Sequence, residues 1–92
     1  MNRTGEQLLS RLRSALPGSR VYWEKEPTAA SLGGAVLSAE YQNKKFTMQF
    51  ERAAGNAPAE VLDDSFLEQV VDDFRDFFSR TIYPKEKFTR II

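Results

Sequence analysis

The sequence predicts an α+β fold, a two-layer sandwich in which a helix, a three-stranded antiparallel meander and a second helix follow in order, with both helices on one sheet face. Three observations predict it. Leucines recur at helical spacing near the start, the middle third is β-rich and separates apolar from polar residues across a hairpin, and a phenylalanine-rich helical stripe fills much of the last third. The 92 residues fit one domain spanning 1–92, with 84–92 as its C-terminal tail. At 41% hydrophobic and 28% charged the chain is too apolar to remain disordered, and without cysteine its stability must come from packing.

The first helix is expected from Thr4 to Leu16, where Leu8, Leu9, Leu12, Ala15 and Leu16 share one side. Thr4 and Gln7 have capping-box spacing, and Pro17-Gly18 stops the helix. Val21, Tyr22 and Trp23 mark a first strand over 20–26, ended by Pro27. The small residues 28–34 connect it to a second strand over 35–42. A two-residue turn at Asn43-Lys44 would place Tyr41 opposite Phe46, Ala39 opposite Met48 and Leu37 opposite Phe50 on one side. Glu40 with Thr47, Ser38 with Gln49 and Val36 with Glu51 then fall on the other. A one-residue slip would scramble this separation, so the agreement supports both the turn and the register and places a third strand over 45–52.

Residues 53–62 read as a mobile linker, rich in alanine and broken by Gly55, Asn56 and Pro58. The second helix carries Phe66, Leu67, Val70, Val71, Phe74, Phe77, Phe78 and Ile82 on a broad stripe; Ser65 and Glu68 have capping-box spacing, and Pro84 marks its end. The tail holds Phe88, Ile91 and Ile92, unusually apolar for a frayed terminus. It is expected to return to the core, add an edge strand, or pack against another chain, including a second copy in a twofold homodimer.

Chemistry is narrowed by absence of residue types. With neither histidine nor cysteine, the chain lacks the usual near-neutral general base, imidazole metal ligand and thiolate nucleophile, and its serines sit in no nucleophile-elbow context. No catalytic site and no cofactor are expected. The acids Asp63, Asp64, Glu68, Asp72, Asp73 and Asp76 read as a solvated helix face, not a metal site. That face can meet a basic partner surface or the arginines of the first helix. Ser31 to Gly34 leads into a strand and so lacks the helix N-terminus of a phosphate-binding loop.

Formal net charge is zero, with residues 60–78 acidic between two basic ends. Zero net charge argues against a dedicated nucleic-acid partner, although Arg3, Arg11, Arg13 and Arg20 near Tyr22 and Trp23 leave a nucleic-acid-associated regulator as the alternative reading. No segment has the length and apolar continuity of a signal peptide or membrane span, so a cytoplasmic location without membrane attachment is expected.

The order helix, meander, helix also occurs in double-stranded RNA-binding domains, but Asp63 and Asp64 stand where those domains place a lysine cluster. In topology alone, the order is similar to that opening many type III secretion chaperones, small acidic cytoplasmic proteins that dimerise and hold an extended effector segment. The expected function is a non-catalytic protein-binding module: an adaptor, a chaperone-like protein or a small inhibitor. Its candidate contact residues are Glu40 and Gln49 on the open sheet face, Asp72, Asp73 and Asp76 on the second helix, and Phe88, Ile91 and Ile92 in the tail.

Overall fold

The structure, a computed structural model, describes residues 2–29, 31–52, 62–80 and 84–92. The elements run α1 (Arg3–Ala15), β1 (Arg20–Lys25), β2 (Val36–Tyr41), β3 (Lys44–Glu51), α2 (Asp64–Arg80) and β4 (Lys85–Ile91). One sheet of order β1-β2-β3-β4 contains an antiparallel meander, and β4 lies parallel to β3 at its edge. The α+β class and the meander are as the sequence predicts. The residues read as a tail form the fourth strand, reached by the crossover through α2 that parallel neighbours require. The expected linker 53–62, apart from Leu62, and Ile82 lie outside the described residues.

Both helices cover one sheet face because only that face is apolar. Leu8 and Leu12 of α1 join Phe66, Leu67, Val70, Phe74, Phe77 and Phe78 of α2 in a core with Val21, Leu37, Ala39, Phe46, Met48 and Phe50 of the sheet. Phe46 meets Phe74 edge-on at 4.8 Å and stacks with Phe77 at 4.9 Å, while Phe50 lies 6.3 Å from Phe66. Such ring pairs contribute about 0.5–1.5 kcal/mol each beyond area burial. On the α1 side Gly5 permits close approach: a Cβ there would come within 3.0 Å of the Pro27 ring and 3.3 Å of the Trp23 indole.

The hairpin turns one residue earlier than its sequence suggests. Gln42 and Asn43 occupy the turn with φ of 51° and 63°, and Tyr41 pairs with Lys44. A type I′ turn needs positive φ at both central positions, and asparagine tolerates it better than lysine, so Asn43 takes the second position instead of the first. The register moves by two residues: Ala39 faces Phe46 and Leu37 faces Met48. A shift of two preserves side-chain parity, so the apolar and polar sides remain as expected.

Both helix starts also differ from the capping boxes. Asn2 caps α1: its side-chain oxygen accepts the Gly5 N–H at 3.0 Å, and its Nδ2 donates to the Thr28 carbonyl at 3.0 Å. The second bond, to a segment 26 residues away, favours Asn2 over the local alternative Thr4. Asp63 caps α2 by accepting the Phe66 N–H at 3.1 Å. Leu62 before it and Leu67 beyond it both join the core, the arrangement of a hydrophobic staple.

Candidate functional site

The helices leave uncovered the open sheet face and the outer edges of β1 and β4. On the open face, β1 to β3 carry a polar network. The Tyr22 hydroxyl donates to Glu40 at 2.7 Å, with the Arg20 guanidinium over its ring at 4.7 Å and 3.6 Å from Glu40. Glu24 accepts from Lys45 at 2.9 Å and from the buried Ser38 hydroxyl at 2.8 Å, and Ser38 shares a 2.9 Å bond with Thr47. The Glu40 carboxylate holds the Tyr22 hydroxyl above its ordinary pKa, chiefly by accepting its proton in a hydrogen bond. Lys45 and then Ser38 hold Glu24 below the usual carboxylate value, and Glu24 and Tyr22 hold Lys45 above that of a free lysine.

A pH dependence follows from Glu24. Its folded pKa lies below its unfolded value, so its contribution is fully present above the ordinary 4.5 and is lost as pH falls through the lowered value. The stability difference between the wild type and Glu24→Gln is therefore expected to shrink on acidification from neutral pH. Urea denaturation at a series of pH values checks this, and a difference that grew on acidification would contradict it.

The β4 edge is built differently. At its ends Lys45 N–H donates to the Pro84 carbonyl at 2.7 Å, and Ile92 N–H donates to the Glu51 carbonyl at 2.8 Å. These bonds set the phase of the parallel ladder. Glu86, Phe88 and Arg90 turn their backbone groups toward β3, whereas Lys85, Lys87, Thr89 and Ile91 turn theirs outward. The side chains alternate too: Phe88 and Arg90 share the helix side with Met48 and Phe50, and Lys85, Lys87, Thr89 and Ile91 lie on the open face. Phe88 is 44% exposed and Ile91 56% exposed, one on each side of the strand.

Six of the eight candidate residues fall into two groups, and Asp72 and Ile92 into neither. Phe88, Asp73 and Asp76 come together with Phe46, Phe77, Arg80 and Glu86 in a shallow groove of about 360 Å³ between α2 and β4. Glu40, Gln49 and Ile91 lie on the opposite face, where Gln49 donates to Glu51 at 3.2 Å. Asp72 is exposed on α2, and Ile92 is half-buried against the core.

Much of the α2 acidity is matched within the chain. Asp64 pairs with Arg11 at 2.8 Å, Asp73 with Arg90 at 3.2 Å, and Asp76 with Arg80. Burial holds the Asp73 carboxyl above its ordinary pKa; Arg90 opposes this, and Asp76 and Asp72 add to it. Among the described residues no group of three potential metal-binding side chains occurs.

Three of the four arginines proposed for nucleic acid have internal partners: Arg11 has Asp64, Arg13 donates to the Val21 carbonyl at 3.1 Å, and Arg20 has Glu40; Arg3 is exposed at the start of α1. Sequence reasoning missed Arg90, which reaches inward to Asp73 and donates to Gln69 at 2.7 Å, and it missed the outward row of β4. The only available signal was alternation along 85–91, and charge on both sides of that strand masks it. Among the described residues no helix is long and apolar enough to cross a membrane. Comparison with family models, curated proteins and solved structures finds no match for the chain.

Proposed function

We propose that the chain is a non-catalytic protein-binding module, of adaptor, chaperone-like or inhibitor type, whose contact surface is β4. The observation that carries this reading is the outward row of backbone groups from Lys85, Lys87, Thr89 and Ile91, flanked by exposed Phe88 and Ile91. An edge strand of this kind supplies main-chain hydrogen bonds to an added strand, while side-chain positions on its two faces supply selectivity. The lack of histidine and cysteine supports the non-catalytic half of the reading.

A photo-crosslinking residue at position 87 tests it. In a native lysate it is expected to form a covalent protein adduct that disappears in a Thr89→Pro background, because proline removes an outward donor and obstructs an incoming strand. An adduct indifferent to Thr89→Pro would move the contact away from β4. Specific turnover of a small molecule with no protein adduct would overturn the reading altogether.

A further inference from the structure

We infer that the strand added to β4 is β4 of a second copy of this chain, antiparallel about a twofold axis at Phe88. The inference rests on the reading of β4 as a protein-contact edge and names its occupant. Of three features of the strand, backbone phase permits this register, and charge and the residue on the axis select it over its neighbours.

The first is backbone phase. Centring the axis on Phe88 pairs Lys85 with Ile91′ and Lys87 with Thr89′, where primes mark the second copy. All four residues whose N–H and C=O groups point outward then face one another and can exchange both hydrogen bonds of each pair.

The second is charge. On the helix side the same register places Glu86 opposite Arg90′, twice by symmetry. Glu86 has no ion-pair partner among the described residues, and Arg90 is held in position by Asp73 and Gln69. On the open face, Lys85 and Lys87 are the kind of charges that guard an edge against indiscriminate pairing, yet here each lies opposite an uncharged residue.

The third is the axis itself. Phe88 meets Phe88′ at a non-hydrogen-bonded position, where facing side chains are closest, and its exposed ring gains an aromatic partner beside Phe46 and Phe77. An axis at Lys87 would instead oppose two lysines. An axis at Thr89 would place Glu86 against Ile92′ and Arg90 against Phe88′, so neither Glu86–Arg90′ pair would form.

The opposite edge of the sheet offers no such fit. β1 carries a register irregularity between Trp23 and Lys25, and its Val21 carbonyl is occupied by Arg13. β4 pairs regularly along its whole length. The product is one continuous sheet of two copies, with the two grooves beside α2 facing each other across the axis.

The absence of cysteine makes the test direct. Sedimentation equilibrium is expected to show a concentration-dependent species of twice the 10.5 kDa monomer. Phe88→Cys should oxidise to a covalent dimer, since facing Cα atoms at such a pair lie within disulfide range; Thr89→Cys, whose copies lie diagonally, should not. Glu86→Arg should weaken dimerisation about tenfold or more by opposing two arginines, while Lys85→Glu should leave it within about twofold.

A monomer at every concentration up to millimolar would overturn the inference. So would a dimer that crosslinks through Thr89→Cys in preference to Phe88→Cys, or one indifferent to Glu86→Arg. A monomer that still forms the Thr89→Pro-sensitive adduct would overturn the second copy alone and leave the protein-contact reading standing.

Discussion

Phe50→Ala is expected to cost about 3–5 kcal/mol of folding stability, the usual range for removing a fully buried aromatic ring. Phe50 is completely buried, lies 6.2 Å from the Trp23 ring and 6.3 Å from the Phe66 ring, and so connects β1, β3 and α2. A 92-residue domain has roughly 5–14 kcal/mol to lose, which makes this one substitution a large share of the total. The neighbouring Gln49→Ala, on the open face, is expected to stay within about 0.5 kcal/mol. Trp23, the single tryptophan, reports both unfolding curves by fluorescence. Equal costs at positions 49 and 50 would contradict the assignment of β3 to one buried and one open side.

Phe88→Pro is expected to destabilise the fold by about 1–3 kcal/mol through the lost ladder bond alone, and Thr89→Pro, one residue along, by much less. The difference arises from the parallel ladder. The Phe88 N–H turns toward β3, so proline there deletes an internal bond and pushes its ring into the neighbouring strand; the Thr89 N–H turns outward. Residue 88 already has the extended backbone that a following proline requires. Thermal unfolding of the two variants checks this, and an equal loss would place both amides on the same side. The contrast also makes Thr89→Pro a fair probe of binding, since it blocks the edge while keeping the strand.

The buried half of this molecule was legible from the sequence because hydrophobic parity is indifferent to small errors. The hairpin register moved by two residues and Asn43 changed its place in the turn, yet Leu37, Ala39, Phe46, Met48 and Phe50 stayed on the helix side. The caps were misplaced because Thr4 and Ser65 satisfy a local spacing rule, whereas Asn2 is selected by a bond to Thr28 and Asp63 by its place after Leu62. Strand β4 could not be singled out from the other fates of the tail. Its helix side reads Glu86, Phe88, Arg90 and its open side Lys85, Lys87, Thr89, Ile91, so no apolar alternation marks it. Charge belongs on its helix side because β4 lies at the edge, where Arg90 reaches Asp73 and Gln69 across the flank of α2. Of the candidate contact residues, Phe88 and Ile91 stood out in the sequence through their apolar character in a polar segment. What linked them was the outward row of backbone groups, which no side-chain pattern encodes.

Amide hydrogen exchange resolved to single residues across 85–92, at a concentration where the chain is monomeric, bears most directly on β4 as a strand with one bonded and one open side. Protection is expected at Phe88, Arg90 and Ile92, with fast exchange at Lys87, Thr89 and Ile91. Uniformly fast exchange through the whole segment, or protection at Lys87, Thr89 and Ile91 in the monomer, would contradict it.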